Sequence, residues 1–252
     1  MSDVTRRDSL RYLLSGAATM GVCATALAQS TADTSTEKET AENTEATTAL
    51  IVIDVQNDFT PGGSLAVKNG DEVVPIINDL SKHFDNVAIT QDWHTKGHAS
   101  FASSYPGKKP FETTELYYGT QVLWPDHCIQ GTKGAELVDG LDIPHAQMIV
   151  RKGFHQEIDS YSAFFEADRK TPTGLQNYLK ERGITSIYVV GLATDFCVAW
   201  TAMDGVSSGF EVTVIEDATR AIDLNGSLEA AWKAMTEKGV ARIQSDSILN
   251  KA

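Results

Sequence analysis

The chain has 252 residues, of which 42% are hydrophobic and 22% charged. This composition is ordinary for a globular protein and provides for one sizeable core, so one folded domain is expected. The net charge of -13 and a pI near 4.8 argue against nucleic acid or an anionic membrane surface as a partner, because a phosphate-binding face needs clustered Lys and Arg.

Residues 1–28 are predicted to be an export signal. Arg6 and Arg7 precede an uncharged stretch from Tyr12 to Ala32, which resembles a twin-arginine signal. Ala26-Leu27-Ala28 supplies a cleavage site of the small-x-small type. A retained membrane anchor is the weaker alternative, because Ser, Thr and Gly interrupt the apolar stretch. We therefore expect an exported, periplasmic protein without stable membrane insertion after cleavage.

Residues 29–48 are rich in Ser, Thr, Ala, Glu and Asn and contain no aromatic residue. Such a segment cannot bury enough apolar surface to offset the entropy that is lost on ordering. It is expected to form a disordered tether. The folded domain is expected to span residues 49–252.

Apolar runs rich in Val and Ile alternate with helix-like segments from residue 49 onward. The expected strands are 49–55, 86–90, 146–150, 186–191, 212–216 and 241–244, and the expected helices are 71–83, 173–182, 195–208 and 227–238. This order predicts an α/β fold with three αβα layers around a mainly parallel sheet of about six strands. Residues 91–144 do not follow the alternation, and so long an irregular connection is usually functional.

Ligands of open parallel sheets bind at the carboxyl ends of the strands, so polar residues at those ends are the candidates for chemistry. The candidates at the ends of the expected strands are Asp54; Asp92, Trp93 and His94; Lys152; Cys197; and Asp217.

Cys197 is the predicted nucleophile of an amide-hydrolysing enzyme. It lies where the strand that ends at Gly191 turns into a helix. A helix N-terminus favours the thiolate, which lowers the thiol pKa, and its backbone amides can hold an oxyanion. The alternative is a small buried hydrophobic residue, which is the common role of a free cysteine.

Two charged residues are candidate partners of the thiol. Asp54 is embedded in an apolar strand, where burial would raise its pKa and suit it to accept the thiol proton. Lys152 could lower the thiol pKa and stabilise an oxyanion through its charge. The alternatives are a turn aspartate and a solvated surface lysine.

The irregular segment carries a candidate metal site. Asp92, His94, His98 and His127 offer one carboxylate and three imidazoles, a set that suits zinc, iron(II) or manganese. Ordinary surface histidines are the alternative. Nearby aromatic residues are candidate walls for a flat substrate or members of the core: Phe59, Trp93 and Trp124.

Several motifs between residues 49 and 244 occur in a characteristic order. They are Asp-Val-Gln-Asn-Asp-Phe followed by Pro-Gly-Gly-Ser-Leu, Thr-Gln-Asp-Trp-His, Trp-Pro-x-His-Cys, Lys-Gly, and Gly-Leu-Ala-Thr-Asp-Phe-Cys-Val. In this combination the chain resembles the nicotinamidase and pyrazinamidase branch of the isochorismatase-like cysteine hydrolases. The resemblance implies the isochorismatase-like hydrolase fold for residues 49–252.

The resemblance also implies roles for individual residues. The implied catalytic triad is Asp54, Lys152 and Cys197, and the implied metal ligands are Asp92, His94, His98 and His127. A cis peptide bond between Leu192 and Ala193 is implied to turn the amides of Ala193 and Cys197 toward the oxyanion. The implied substrate-binding residues are Gln56, Phe59, Trp124 and Tyr161.

The implied reaction is hydrolysis of nicotinamide to nicotinate and ammonia through a thioester, with pyrazinamide as a second substrate and a place in NAD salvage. One alternative is a hydrolase for another small amide or carbamoyl compound. The other is an inactive metal-binding or ligand-binding scaffold. A homo-oligomer is left open, and Cys128 and Cys197 are expected to be free thiols in the mature protein.

Overall fold

The computed structural model describes residues 47–250, so the predicted signal peptide and nearly all of the tether lie outside the described residues. The strands are β1 (Thr47–Ile53), β2 (Val87–Asp92), β3 (Thr113–Leu116), β4 (Gly119–Val122), β5 (Met148–Lys152), β6 (Ile184–Leu192), β7 (Glu211–Arg220) and β8 (Ala241–Ile243). The α-helices are α1 (Val73–Ser81), α2 (Leu175–Glu181), α3 (Ala199–Ser207), α4 (Ser227–Lys238) and α5 (Asp246–Leu249).

Six strands form a parallel sheet in the order β5-β2-β1-β6-β7-β8. Helices α1 and α5 contact each other, as do α3 and α4, and both α1 and α3 pack against β7. The predicted α/β fold with a six-stranded parallel sheet is therefore confirmed. From β1 the chain continues through β2 and β5 toward one edge of the sheet. From β6 it continues through β7 and β8 toward the other edge. This reversal between β1 and β6 is where open α/β sheets bind ligands.

The central strands form because their side chains are apolar on both faces. Residues Leu50 to Ile53 of β1 are fully buried, which explains why their sequence shows no alternation. Gly191 of β6 allows the two central strands to approach closely. It has a φ of +108°, and a Cβ there would lie 2.1 Å from the carbonyl oxygen of Ile53.

Among the differences from the expected element boundaries, three have a physical reason in the structure. Strand β1 includes Thr47 and Thr48, because these residues pair with β6. Strand β7 continues to Arg220 past an irregularity in its register with β6, so Asp217 lies inside the strand. The expected helix 195–208 is a π-helical turn at Thr194–Val198 followed by α3.

The hairpin of β3 and β4 lies in the segment that was expected to be irregular. Its strands are short and rich in Thr, Glu and Gln, so they carry no apolar alternation by which a strand is recognised. Across the described residues, we find no helix with the length and apolar character that a membrane crossing requires.

Candidate active site

The predicted triad residues meet around the ammonium group of Lys152, at the carboxyl end of the parallel sheet. Its Nζ lies 2.8 Å from Asp54 Oδ2, 2.5 Å from Asp92 Oδ1 and 3.4 Å from Cys197 Sγ. It also donates a hydrogen bond of 2.8 Å to the carbonyl oxygen of Ser160. Burial alone would lower the pKa of Lys152, but the surrounding Asp54, Asp92 and Cys197 raise it well above its ordinary value. The surroundings of the side chain therefore favour its cationic form.

Asp54 follows β1 in a left-handed backbone conformation, with a φ of 47°. Its amide donates to Thr90 Oγ1 at 3.1 Å, and the Thr90 hydroxyl donates to Asp54 Oδ1 at 2.5 Å. Burial raises the pKa of Asp54, and the charge of Lys152 opposes this only in part. A carboxylate with a raised pKa and a fixed orientation is suited to accept a proton.

Cys197 differs from expectation in its acidity. Burial raises the pKa of its thiol well above the ordinary value, and the carboxylates of Asp54 and Asp92 add to this, whereas Lys152 lowers it. The predicted lowering of the thiol pKa by the helix N-terminus is therefore wrong. The side chain is only 6% exposed, and withdrawal from water outweighs the helix and the lysine. A proton acceptor is needed before the sulfur can attack.

Asp92, His94 and His127 form a second group of polar side chains. Asp92 belongs to this group and also contacts Lys152. Asp92 Oδ2 lies 3.5 Å from His94 Nε2 and 3.7 Å from His127 Nε2. Ligand atoms that are about 2.0–2.2 Å from one metal ion are separated by distances of this order. The Nδ1 atoms of the two histidines face the carbonyl oxygens of Gly153 and Pro125 at 2.9 and 2.8 Å, which leaves each Nε2 lone pair for an ion. These residues can hold a divalent cation.

Glycine is required behind His94. Gly153 has a φ of +63°, and a Cβ at this position would lie 2.6 Å from Cε1 of the His94 ring. The carbonyl that orients the imidazole can therefore approach only from a residue without a side chain.

His98 lies outside the group of Asp92, His94 and His127, and its ligand atoms lie instead near those of His94 and Asp159, a second set that could hold a metal ion. Its Nε2 lies 3.0 and 3.1 Å from the carbonyl oxygens of His155 and Ile158, so this nitrogen carries the hydrogen. Its Nδ1 accepts hydrogen bonds from the amide and the hydroxyl of Ser100. Both ring nitrogens are thus occupied by contacts between loops. Burial and the nearby His94 lower the pKa of His98 to about 4, so its imidazole is neutral at pH 7.

A pocket opens beside Cys197 and is walled mostly by apolar and aromatic side chains. It is lined by Phe59, Leu65, Asp92, Trp124, His127, Asp159, Tyr161, Ala193, Phe196, Cys197 and Ile222. The indole nitrogen of Trp124 donates to the hydroxyl of Tyr161 at 2.9 Å, and the Phe196 ring meets the Trp124 ring edge-on at 4.8 Å. These contacts fix the aromatic walls in place.

The predicted pocket residues Phe59, Trp124 and Tyr161 therefore line the pocket. Four lining residues were not predicted: Leu65, Asp159, Phe196 and Ile222. Leu65 and Phe196 belong to the motifs on which the family resemblance rests. Their place in these motifs is the sequence feature by which they could have been predicted. Nothing in the local sequence marks Ile222.

Gln56 was predicted to bind substrate and does not line the pocket. Its amide group donates to the carbonyl oxygens of Asp92 and Ala135 at 2.8 Å each, and its carbonyl accepts from the amide of Asp92 at 2.8 Å. The side chain is fully buried, so no polar atom is left for a ligand. Gln56 instead holds the backbone of Asp92.

The other candidates are placed as follows. The Leu192–Ala193 peptide bond is cis, and Ala193 lines the pocket together with Cys197. The Trp93 ring stacks beneath the guanidinium of Arg151 at 3.8 Å, away from the pocket lining. Asp217 binds Ser245, also away from the pocket. Cys128 and Cys197 are both free and buried.

Comparisons with known proteins agree with this geometry. Residues 48–247 match the family model of the isochorismatase domain. A nicotinamidase from Acinetobacter baylyi is 62% identical over 201 residues, which cover 80% of this chain and 94% of the relative.

Two solved structures are similar as well. A nicotinamidase and pyrazinamidase from Acinetobacter baumanii has a TM-score of 0.80 at 63% identity, over 81% of this chain and 99% of the other. A pyrazinamidase from Pyrococcus horikoshii in complex with zinc has a TM-score of 0.64 at 33% identity, over 79% of this chain and 99% of the other.

Proposed function

Because the chain belongs to the isochorismatase domain family, we propose that it is a cysteine amidohydrolase that converts nicotinamide to nicotinate and ammonia. The observation that carries the proposal is the contact of Lys152 with both Asp54 and Cys197, together with the position of Cys197 in the lining of a pocket with aromatic walls. The high identity to a nicotinamidase over most of both chains supports the same substrate and a place in NAD salvage. The alternative of an inactive binding scaffold is disfavoured, because all three triad positions carry reactive groups in contact.

The first half of the reaction makes a thioester. Asp54 accepts the thiol proton of Cys197, and the sulfur attacks the carboxamide carbon. Lys152 and the backbone amides at Ala193 and Cys197 stabilise the negative charge on the carbonyl oxygen. The proton held by Asp54 passes to the amide nitrogen, the carbon–nitrogen bond breaks, and ammonia leaves.

The second half hydrolyses the thioester. Asp54, again a carboxylate, removes a proton from a water molecule while the water oxygen attacks the carbonyl carbon. The carbon–sulfur bond then breaks, Asp54 returns its proton to the sulfur of Cys197, and the carboxylic acid that has formed loses its proton to give nicotinate. Nicotinate then leaves the pocket, where the ammonium group of Lys152 is the positive charge near its carboxylate.

Asp92, His94 and His127 would hold one divalent metal ion at the edge of the pocket. Such an ion supplies positive charge and an open coordination position next to the substrate. The three ligands suit zinc, iron(II) and manganese, and the zinc complex of the Pyrococcus pyrazinamidase favours zinc.

The proposed function is tested by a nicotinamide assay on the purified protein before and after chelation. We expect conversion of nicotinamide to nicotinate, about one ion per chain by elemental analysis, and a loss of at least about tenfold in kcat/KM when the ion is removed. Added zinc, iron(II) or manganese should restore the rate.

His127→Ala should lose the ion, whereas His145→Ala should keep both the ion and the rate, because His145 is exposed and its ring contacts the carbonyl of Ser81. An untreated, metal-loaded protein without nicotinamide turnover would refute the proposed substrate. Full activity after complete removal of the ion would refute the metal requirement.

A different small amide is the second candidate substrate. The aromatic walls formed by Phe59, Trp124 and Phe196 favour a flat ring over an aliphatic carbamoyl compound. Nicotinamide and pyrazinamide should therefore have higher kcat/KM values than aliphatic amides and carbamoyl compounds of similar size. Higher kcat/KM values for the aliphatic amides or carbamoyl compounds would show that one of them, and not nicotinamide, is the preferred substrate.

We also propose that the twin-arginine segment exports the protein to the periplasm. Replacing Arg6 and Arg7 with Lys should retain the chain in the cytoplasm, because this export route reads the arginine pair. The measurement is an immunoblot of periplasmic and cytoplasmic fractions, with the Arg11→Lys variant as the control. Equal periplasmic amounts of the double variant and the unmodified protein would contradict the proposal.

A further inference from the structure

The loop between β7 and α4, residues 221–226, forms one wall of the pocket through Ile222. Asp223 and Asn225 have left-handed backbone conformations, with φ values of 55° and 54°. Asp and Asn adopt this conformation more readily than other residues with a side chain, yet it remains costly. The loop therefore depends on contacts from outside its own backbone.

Asp195 supplies these contacts. Its carboxylate accepts hydrogen bonds from the amide of Ile222 at 3.0 Å, the amide of Asp223 at 2.8 Å and the hydroxyl of Ser227 at 2.5 Å. The side chain is buried and belongs to the helical turn that carries Cys197. One carboxylate thus connects the turn of the nucleophile to the loop that contributes Ile222 to the pocket lining.

We propose that Asp195 is a positioning residue, which fixes Ile222 in the pocket wall and thereby sets the affinity for the substrate ring. Both carboxylate oxygens are directed at the loop, and Asp195 does not line the pocket, so it acts through Ile222. Charge-assisted hydrogen bonds of this kind are about twice as strong as neutral ones. The inference rests on the proposed function for the identity of the substrate.

The first test is Asp195→Asn. The amide places donor hydrogens against the donors of the loop, so at least one of the three hydrogen bonds is lost. KM for nicotinamide should rise about tenfold, while kcat should stay within about threefold, because the wall contacts the ring equally in the ground and transition states.

Asp217→Asn is the matched control. The Asp217 carboxylate likewise accepts an amide and a hydroxyl, both from Ser245, at 2.8 and 2.5 Å, but away from the pocket. This variant should leave KM and kcat unchanged. Ser227→Ala, which removes only one hydrogen bond from Asp195, should raise KM by about threefold and guards against misfolding of the stronger variant.

A double-mutant cycle separates positioning from general support. Ile222→Ala should itself raise KM about tenfold by removing the wall, and Asp195→Asn should add almost nothing in that background. If the increases in KM from Ile222→Ala and Asp195→Asn multiplied in the double variant, the inference would be overturned. An unchanged KM in Asp195→Asn would also overturn it. A loss confined to kcat would do the same.

Hydrogen exchange provides a readout that needs no turnover. The amides of Ile222 and Asp223 should exchange faster in Asp195→Asn than in the unmodified protein, and Asp217→Asn should show no such change. Unchanged exchange would overturn the inference even if KM changed. If the unmodified protein did not hydrolyse nicotinamide, the proposed function would be wrong, and the exchange would still show whether Asp195 holds the loop.

Discussion

Cys197→Ala is expected to lower kcat/KM for nicotinamide by at least about 10⁴-fold, because the thioester cannot form without the sulfur. No other thiol is available to replace it, since Cys128 is the other cysteine in the described residues and is completely buried. The measurement is chromatography of nicotinate over long incubations. The variant should still bind nicotinate, because the aromatic walls of the pocket remain.

Cys128→Ser is the matched control for this experiment. It also removes a buried thiol, but this thiol faces the carbonyl of Gly134 and does not contact Lys152. The control should retain turnover within about tenfold, with any loss arising from destabilisation of the core. Measurable conversion by a folded Cys197→Ala protein, above that of the uncatalysed reaction, would rule out the proposed nucleophile.

Asp54→Asn is expected to lower kcat by about 10²–10⁴-fold, because the resting thiol is protonated and the amide cannot accept its proton. The raised pKa of Cys197 makes this requirement strict, since few molecules carry a thiolate without a base. The amide has nearly the shape of the carboxylate, and Lys152 keeps Asp92 as its counter-ion. The fold and nicotinate binding should therefore persist.

A rise in pH should partly rescue Asp54→Asn, because hydroxide then removes the thiol proton that the side chain no longer accepts. The unmodified enzyme should show no matching increase over the same range. Stopped assays of nicotinate formation across a pH series provide the comparison. If Asp54→Asn kept more than about one tenth of the wild-type kcat, the base would have to be another group.

The strands of the sheet could be predicted from the sequence where they are buried on both faces, because such strands are continuously apolar. The Val and Ile run of β1 is one example, because its side chains are buried on both faces. The hairpin of β3 and β4 was missed because its strands are short and polar. No local pattern distinguishes them from a loop.

The candidate site was predictable where residue type alone decides the chemistry, as for Asp54, Lys152 and Cys197. It was not predictable where packing decides. The acidity of Cys197 depends on how completely the folded chain excludes water from its thiol. His98 is engaged by the carbonyls of His155 and Ile158, which lie far along the chain, and the amide of Ile222 donates to the distant carboxylate of Asp195.

The Oδ1 atom of Asp92 contacts the ammonium group of Lys152, and its Oδ2 atom lies near the imidazoles of His94 and His127. The two oxygens belong to one delocalised anion, so charge drawn toward a cation at one end is withdrawn from the other. A divalent ion held by Asp92, His94 and His127, as proposed above, would therefore also affect the charge on the oxygen that pairs with the ammonium beside the nucleophile.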